Sequence, residues 1–160
     1  MLVTTLAGAV AAAPARPANG YEAALLARVN AVRAAHHLRP LRISPGLHRA
    51  AVQHSAQMAR DGYFSHSSAS GAAFWRRILR FYGKSGYRYW SVGENLAWAA
   101  PDLSPARTVT LWLHSPAHRA NLLAPRWREI GLAAVHVTSG RGVYAGYSPT
   151  IVTADFGVRR

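Results

Sequence analysis

The sequence predicts an α+β domain in which helices come first and a small antiparallel sheet follows. Apolar residues recur at helical spacing over much of the first two-thirds of the chain, and Ser-Pro pairs mark helix starts. The last third changes to strand-like runs separated by glycine and proline turns. Helices followed by closely linked strands favour an antiparallel meander over repeated β-α-β units.

Five helical segments are predicted. The first covers residues 21–37, where Leu25, Val29 and Val32 lie on one face. The second begins at Ser44-Pro45, which combines a hydroxyl N-cap with proline at the first helical position, and it ends at Asp61-Gly62. The others are a short helix over 71–81, a helix capped by Ser104, and a helical turn over 116–123.

Three strands are predicted after the helices. Residues 130–137 form a mostly apolar run, and a turn at 140–142 leads into a second strand over 143–147. A further turn at Ser148-Pro149 leads into a third strand over 151–156. These segments predict a three-stranded antiparallel sheet.

Composition indicates one exported domain. The chain has 160 residues, of which 50% are hydrophobic and 16% charged, enough for one packed core. Residues 1–20 are expected to be a signal peptide and short disordered leader, because an apolar stretch ends in small residues, and residues 21–160 form the domain. No basic residue precedes this stretch, so a disordered tail is the alternative. We expect a secreted monomer without a transmembrane span.

The charge balance suggests anionic partners. Lys and Arg number 19 against 6 Asp and Glu, a net charge of +13, and only Lys84 is a lysine. Lipid headgroups or an anionic cell-envelope polymer suit such a chain, although a basic bias spread over the surface would give the same count. Nucleic acid is an unlikely partner, since no run of five basic residues occurs. The absence of cysteine excludes disulfides and thiolate metal sites.

Three residues with chemical potential lie in glycine- and serine-rich surroundings: His66, Glu94 and His118. Two imidazoles and one carboxylate are a common ligand set for zinc. Structural roles are equally open, because His66 could bond a backbone carbonyl and Glu94 could be a buried ion-pair partner of Arg77. Spacing alone does not bring these residues together.

Three short motifs occur in the order and spacing of a known family. They read Tyr-Phe-Ser-His at 63–66, Gly-Glu-Asn-Leu-Ala at 93–97 and His-Arg-Ala-Asn-Leu-Leu at 118–123. With them, the chain resembles the bacterial-type branch of the CAP superfamily, the SCP/PR-1-like proteins, over residues 21–158. The resemblance implies an α-β-α sandwich in which a central three-stranded antiparallel sheet is covered by helices.

The same resemblance implies a pocket lined by His66, Glu94 and His118, with Arg77 and Asn95 beside them. Many eukaryotic members have a second glutamate about a dozen residues after the first histidine. Here that neighbourhood contains no acid but does contain Arg77, as is frequent in the bacterial branch. One carboxylate fewer and one cation more both disfavour a bound dication.

Two main functions follow from these residues. The first is a non-catalytic binding module for a lipid or cell-envelope ligand. The alternative is a metal-dependent, peptidase-like hydrolase, with a divalent metal such as zinc on His66 and His118 and with Glu94 as general base. A secreted factor that acts through its surface is a third reading, so whether the chain is an enzyme stays open. A contact between Arg77 and Glu94 would favour a scaffolding role.

Overall fold

The computed structural model describes residues 20–160, so the predicted signal peptide lies outside the described residues. Five α-helices occur in this range, as predicted, with ends that differ by a few residues. The helices are α1 (Gly20–Ala35), α2 (Pro45–Asp61), α3 (Phe74–Phe81), α4 (Pro105–His114) and α5 (Pro116–Leu122). None of them has both the length and the apolar character needed to cross a bilayer.

The sheet is mixed and has four strands, so the prediction of a three-stranded antiparallel sheet was wrong. The strands are β1 (Arg42–Ile43), β2 (Trp90–Ala99), β3 (Glu129–His136) and β4 (Thr150–Arg159). Their order is β1-β3-β4-β2, with β1 parallel to β3 and the other pairs antiparallel. The sequence pattern missed β2 because helices cover both of its faces, which removes the polar–apolar alternation of a half-exposed strand.

The strand predicted over 143–147 is also wrong. Residues Gly142–Tyr144 form a single 3₁₀ turn that is tied to the end of α2 instead of to the sheet. The backbone N–H of Val143 donates to the Gly62 carbonyl (2.9 Å), and the buried Tyr144 hydroxyl donates to the Tyr63 carbonyl (2.8 Å). Gly142 has a φ of 54°, and a Cβ there would lie 2.0 Å from the Gly62 oxygen. These tertiary contacts outweigh the local strand pattern.

Helices cover both faces of the sheet. On one face, Val152, Ala154 and Phe156 of β4 belong to an apolar core with residues of α1 and α4 such as Leu25 and Trp112. On the other face lie α2 and α3. There the Thr153 hydroxyl is 2.8 Å from the Ser55 hydroxyl of α2. The expected α-β-α layering is therefore present around the four-stranded sheet.

Close contact between α2 and the sheet depends on a glycine. A Cβ on Gly131 of β3 would lie 2.0 Å from the backbone of Leu47, so only glycine lets α2 approach this closely. Because β2 is an edge strand, loops from either face can meet beside it. The α2–α3 loop approaches from one face and α5 from the other.

Candidate functional site

Glu94 is the centre of a buried polar network. It lies on β2, its side chain is 1% exposed, and each carboxylate oxygen has a partner. Oε1 is 2.7 Å from Nδ1 of His66, and Oε2 accepts a hydrogen bond from Nη2 of Arg77. Arg77, on α3, is itself buried. The contact between Arg77 and Glu94 that would indicate a scaffolding role is therefore present.

Asp155 is a member of this network that was not among the predicted site residues. It is fully buried on β4 and lies directly opposite Glu94 in the register of the two strands. Its Oδ1 is 3.6 Å from Nη2 of Arg77, so one guanidinium faces two carboxyl groups. A signal was available in the sequence, because an acid within an otherwise apolar strand must be paired or neutral. Only the strand register reveals that its neighbour is Glu94.

The two carboxyl groups have raised pKa values, which favours one shared proton between them. Burial raises the pKa of Glu94 to about 7, against the opposing charge of Arg77. Burial and the neighbouring Glu94 charge raise the pKa of Asp155 well above its usual range. Two carboxylates side by side in a buried site do not both ionise readily. No hydrogen-bond donor within residues 20–160 satisfies an ionised Asp155, so we assign the proton to Asp155 and the negative charge to Glu94.

His66 reaches Glu94 from the loop between α2 and α3. Its side chain is 52% exposed, and the loop is held by His54 of α2, whose Nε2 donates to the Ser65 carbonyl (2.9 Å). Burial, followed by the charge of Arg77, lowers the pKa of His54 to about 3, so this histidine is neutral. Burial and Arg77 also lower the pKa of His66. The neutral His66 donates its Nδ1 proton to Glu94, which leaves Nε2 as the nitrogen with a lone pair.

His118 lies on α5 beside His66, with ring centroids 6.4 Å apart. Burial, and then repulsion from His66 whenever that ring is protonated, lower the pKa of His118. The side-chain amide of Asn95 bonds to α5: its Nδ2 donates to the His118 carbonyl (2.9 Å). The structure thus brings His66, Glu94 and Arg77 into direct contact and places His118 next to them. Asn95 fixes the helix that bears His118.

Asn121 strengthens the same junction, although the sequence prediction gave it no role. Its Nδ2 donates to the Glu94 carbonyl (3.0 Å) and to Oδ1 of Asn95 (3.1 Å). A Cβ on Gly93 would lie 2.9 Å from the Trp127 ring and 3.0 Å from the Asn121 amide. The glycine before Glu94 therefore lets α5 and its amide approach the edge strand.

Glu94 does not fit as a ligand of a divalent metal. Within the described part of the chain, no group of three or more histidine, aspartate or glutamate side chains is arranged to hold one. Nδ1 of His66 and both oxygens of Glu94 are already bonded, and the cation bonded to Glu94 is Arg77. A dication at Glu94 would have to displace or repel that guanidinium. We therefore derive no reaction step through a metal.

Comparisons with known proteins agree with the resemblance seen in the motifs. Residues 26–156 match the model of the CAP, or cysteine-rich secretory protein, family. The uncharacterized protein YkwD of Bacillus subtilis is 32% identical over 118 residues, which are 73% of this chain and 43% of that protein. The chain thus spans less than half the length of this relative.

Solved structures share the fold. An extracellular protein of Bacillus anthracis that contains an SCP domain is 28% identical, with a TM-score of 0.63 over 85% of this chain and 39% of that one. An outer surface protein of Borrelia burgdorferi is 20% identical, with a TM-score of 0.72 over 89% of this chain and 95% of that one. At this identity, the second structure supports the fold alone.

Proposed function

The chain belongs to the CAP family of cysteine-rich secretory proteins, and from that premise we propose that it is a non-catalytic binding module for a lipid or cell-envelope ligand. His66 and His118 form the ligand-facing part of the site. Glu94, Arg77 and Asp155 form the buried support behind His66. The observation that carries the proposal is that both oxygens of Glu94 are bonded, one to His66 and one to Arg77.

This bonding argues against catalysis by Glu94. A general base needs an oxygen within reach of the proton that it removes. Releasing Oε2 would break a buried ion pair, which is strongly unfavourable because it leaves an uncompensated charge in the interior. The groups left to meet a ligand are the imidazoles of His66 and His118, which can donate or accept hydrogen bonds.

The surroundings of His66 suit an amphipathic ligand. The Phe74 ring is 6.4 Å from the His66 ring, and Phe64 and Trp75, near His66 and Phe74 in sequence, are 38% and 40% exposed. Exposed aromatic side chains bind apolar chains or sugar faces, while the net charge of +13 attracts anions. A lipid with an anionic headgroup, or an anionic envelope polymer, combines both features.

We also propose that the protein is secreted. The apolar segment at the start of the chain resembles a signal peptide. The Bacillus anthracis relative is described as extracellular and the Borrelia burgdorferi protein as an outer surface protein. Since the chain spans less than half of YkwD, functions of that whole protein need not apply to this domain.

Binding can be tested with vesicles of phosphatidylglycerol and phosphatidylcholine and with a soluble poly(glycerol phosphate). We expect saturable binding to at least one of these probes, weakened about fivefold or more in His118→Ala, since a lost hydrogen bond to a charged group has at least this effect. His36→Ala is the matched control, because His36 is an exposed histidine at the end of α1. Equal binding by both variants, or zinc-dependent peptide hydrolysis that Glu94→Gln abolishes, would contradict the proposal.

A further inference from the structure

A second polar cleft lies between α2 and α3. Its volume is about 170 Å³. At the ~30 Å³ that a water molecule occupies in the liquid, this is room for about six waters, or for a small tetrahedral anion with part of its hydration. Of the buried network around Glu94, only Arg77 lines this cleft. The cleft is therefore a separate site that touches the proposed binding site through one side chain.

Hydrogen-bond donors dominate its walls. On α2, Gln53, Gln57 and Arg60 follow one another at i, i+4 and i+7, so they share one helix face. On α3, Arg76 and Arg80 share a face at i, i+4. Within the described chain, no aspartate or glutamate side chain lines the cleft. The walls thus offer guanidinium and amide N–H groups.

Arg77 at the base of the cleft has bonding capacity to spare. Its side chain is 3% exposed, and only Nη2 faces Glu94 and Asp155. Nε and Nη1 are buried and have no hydrogen-bond partner within residues 20–160. A buried N–H group without a partner is costly, so these atoms favour an acceptor that enters the cleft.

Arg76 and Arg80 lie at exposed positions on α3 and concentrate positive charge beside the cleft. Arg76 and Arg80 are like charges one helical turn apart, an arrangement that destabilises a helix unless an anion lies between them. Arg76 is held over the Trp75 ring, with its guanidinium carbon 5.3 Å from the ring centroid. Asp61, the residue after Arg60, is bonded to Arg60 at 2.7 and 2.9 Å and so does not neutralise Arg76 or Arg80.

We propose that this cleft binds a phosphate group, as a free anion, a monoester or a diester. Arg76 and Arg80 contact its outer oxygens, and the amides of Gln53 and Gln57 complete the donor set. Guanidinium groups match phosphate oxygens in paired hydrogen bonds, so arginine suits such a site. The proposal deepens the proposed function by naming the anion, but it stands on other residues and can succeed or fail separately.

The direct test is calorimetric titration of the full chain with inorganic phosphate and with glycerol 3-phosphate at low ionic strength. We expect saturable binding that is at least tenfold weaker in Arg76→Gln/Arg80→Gln, because two charge-assisted hydrogen-bond donors are lost. Arg28→Gln/Arg107→Gln is the matched control: it removes the same charge from exposed positions on α1 and α4 and should change affinity less than about twofold. Equal loss in both double variants, or no binding by the unmodified chain, would overturn the proposal.

Two further arms identify the source of the phosphate and separate the two sites. Binding to phosphatidylglycerol vesicles that disappears in Arg76→Gln/Arg80→Gln identifies a lipid headgroup, whereas binding to glycerol 3-phosphate without vesicle binding identifies a soluble or polymeric phosphate. Either result supports the cleft. Phosphate binding that persists in His118→Ala supports it even if the proposed ligand site fails. Phosphate binding that His118→Ala abolishes would place the anion at the histidines and overturn the proposal.

Discussion

The two faces of β4 bury different kinds of side chain, although both are equally closed to water. On the face toward α1 and α4, Val152, Ala154 and Phe156 pack in an apolar core. On the face toward α2 and α3, Asp155 lies beside Glu94 and Arg77. The apolar face owes its stability to burial and packing, which do not depend on pH. The polar face is stable only while its charges and its proton balance one another.

We expect the largest effect from removing the cation that is buried on the polar face. Arg77→Met leaves Glu94 and Asp155 buried without their cation, and we expect the free energy of unfolding near pH 7 to fall by about 3–5 kcal/mol. Urea unfolding followed by circular dichroism measures this change. Arg76→Met is the control, because it removes an exposed neighbouring arginine and should cost less than about 0.5 kcal/mol. If both substitutions cost the same, Arg77 has no special role in the interior.

A smaller effect is expected in the pH dependence of the free energy of unfolding, which should differ between the polar and the apolar face of β4. Because the pKa of Asp155 is raised in the folded state, the folded chain binds more protons than the unfolded chain above about pH 4. The contribution of Asp155 to the free energy of unfolding therefore decreases as pH rises. Asp155→Asn cannot lose that proton, so its stability relative to the unmodified chain should increase with pH, by up to about 1.4 kcal/mol per pH unit.

A matched substitution on the apolar face serves as the control for this experiment. Ile130 is fully buried in the core of β3, and Ile130→Val should cost about 0.5–1.5 kcal/mol at every pH. Urea unfolding at several pH values compares the three proteins. If the free energies of unfolding of Asp155→Asn and of the unmodified chain change with pH in the same way, the pKa of Asp155 is not raised in the folded state.

The fold was predictable where local signals determine it. Ser44-Pro45 and Ser104-Pro105 start α2 and α4 as expected, because a hydroxyl cap and a fixed proline φ act within one turn. The strand β2 escaped prediction because helices cover both of its faces, so the polar–apolar alternation of a half-exposed strand is missing. The prediction of a strand over 143–147 was wrong because hydrogen bonds of the buried Tyr144 hydroxyl and of the Gly62 carbonyl hold this segment outside the sheet.

The sequence indicated some of the clustered residues, but neither Asp155 nor the bonding between them. The motifs identified His66, Glu94 and His118, and the structural alternative for Glu94 correctly paired it with Arg77. The role of Asp155 could not be predicted, because it depends on the register that sets β4 against β2. The supporting role of His54 depends likewise on the α2–α3 loop folding back over the helix.

The central claim is that Glu94 belongs to a proton-sharing scaffold and not to a metal or catalytic centre. The most direct test is to follow the ¹³C chemical shifts of the Glu94 and Asp155 carboxyl carbons by NMR from about pH 4 to about pH 9, with and without zinc. The account predicts that one carboxyl keeps its proton at and above about pH 7, and that zinc leaves both titrations unchanged. Two carboxyls that ionise near their ordinary pKa of about 4, with shifts that move when zinc is added, would contradict it.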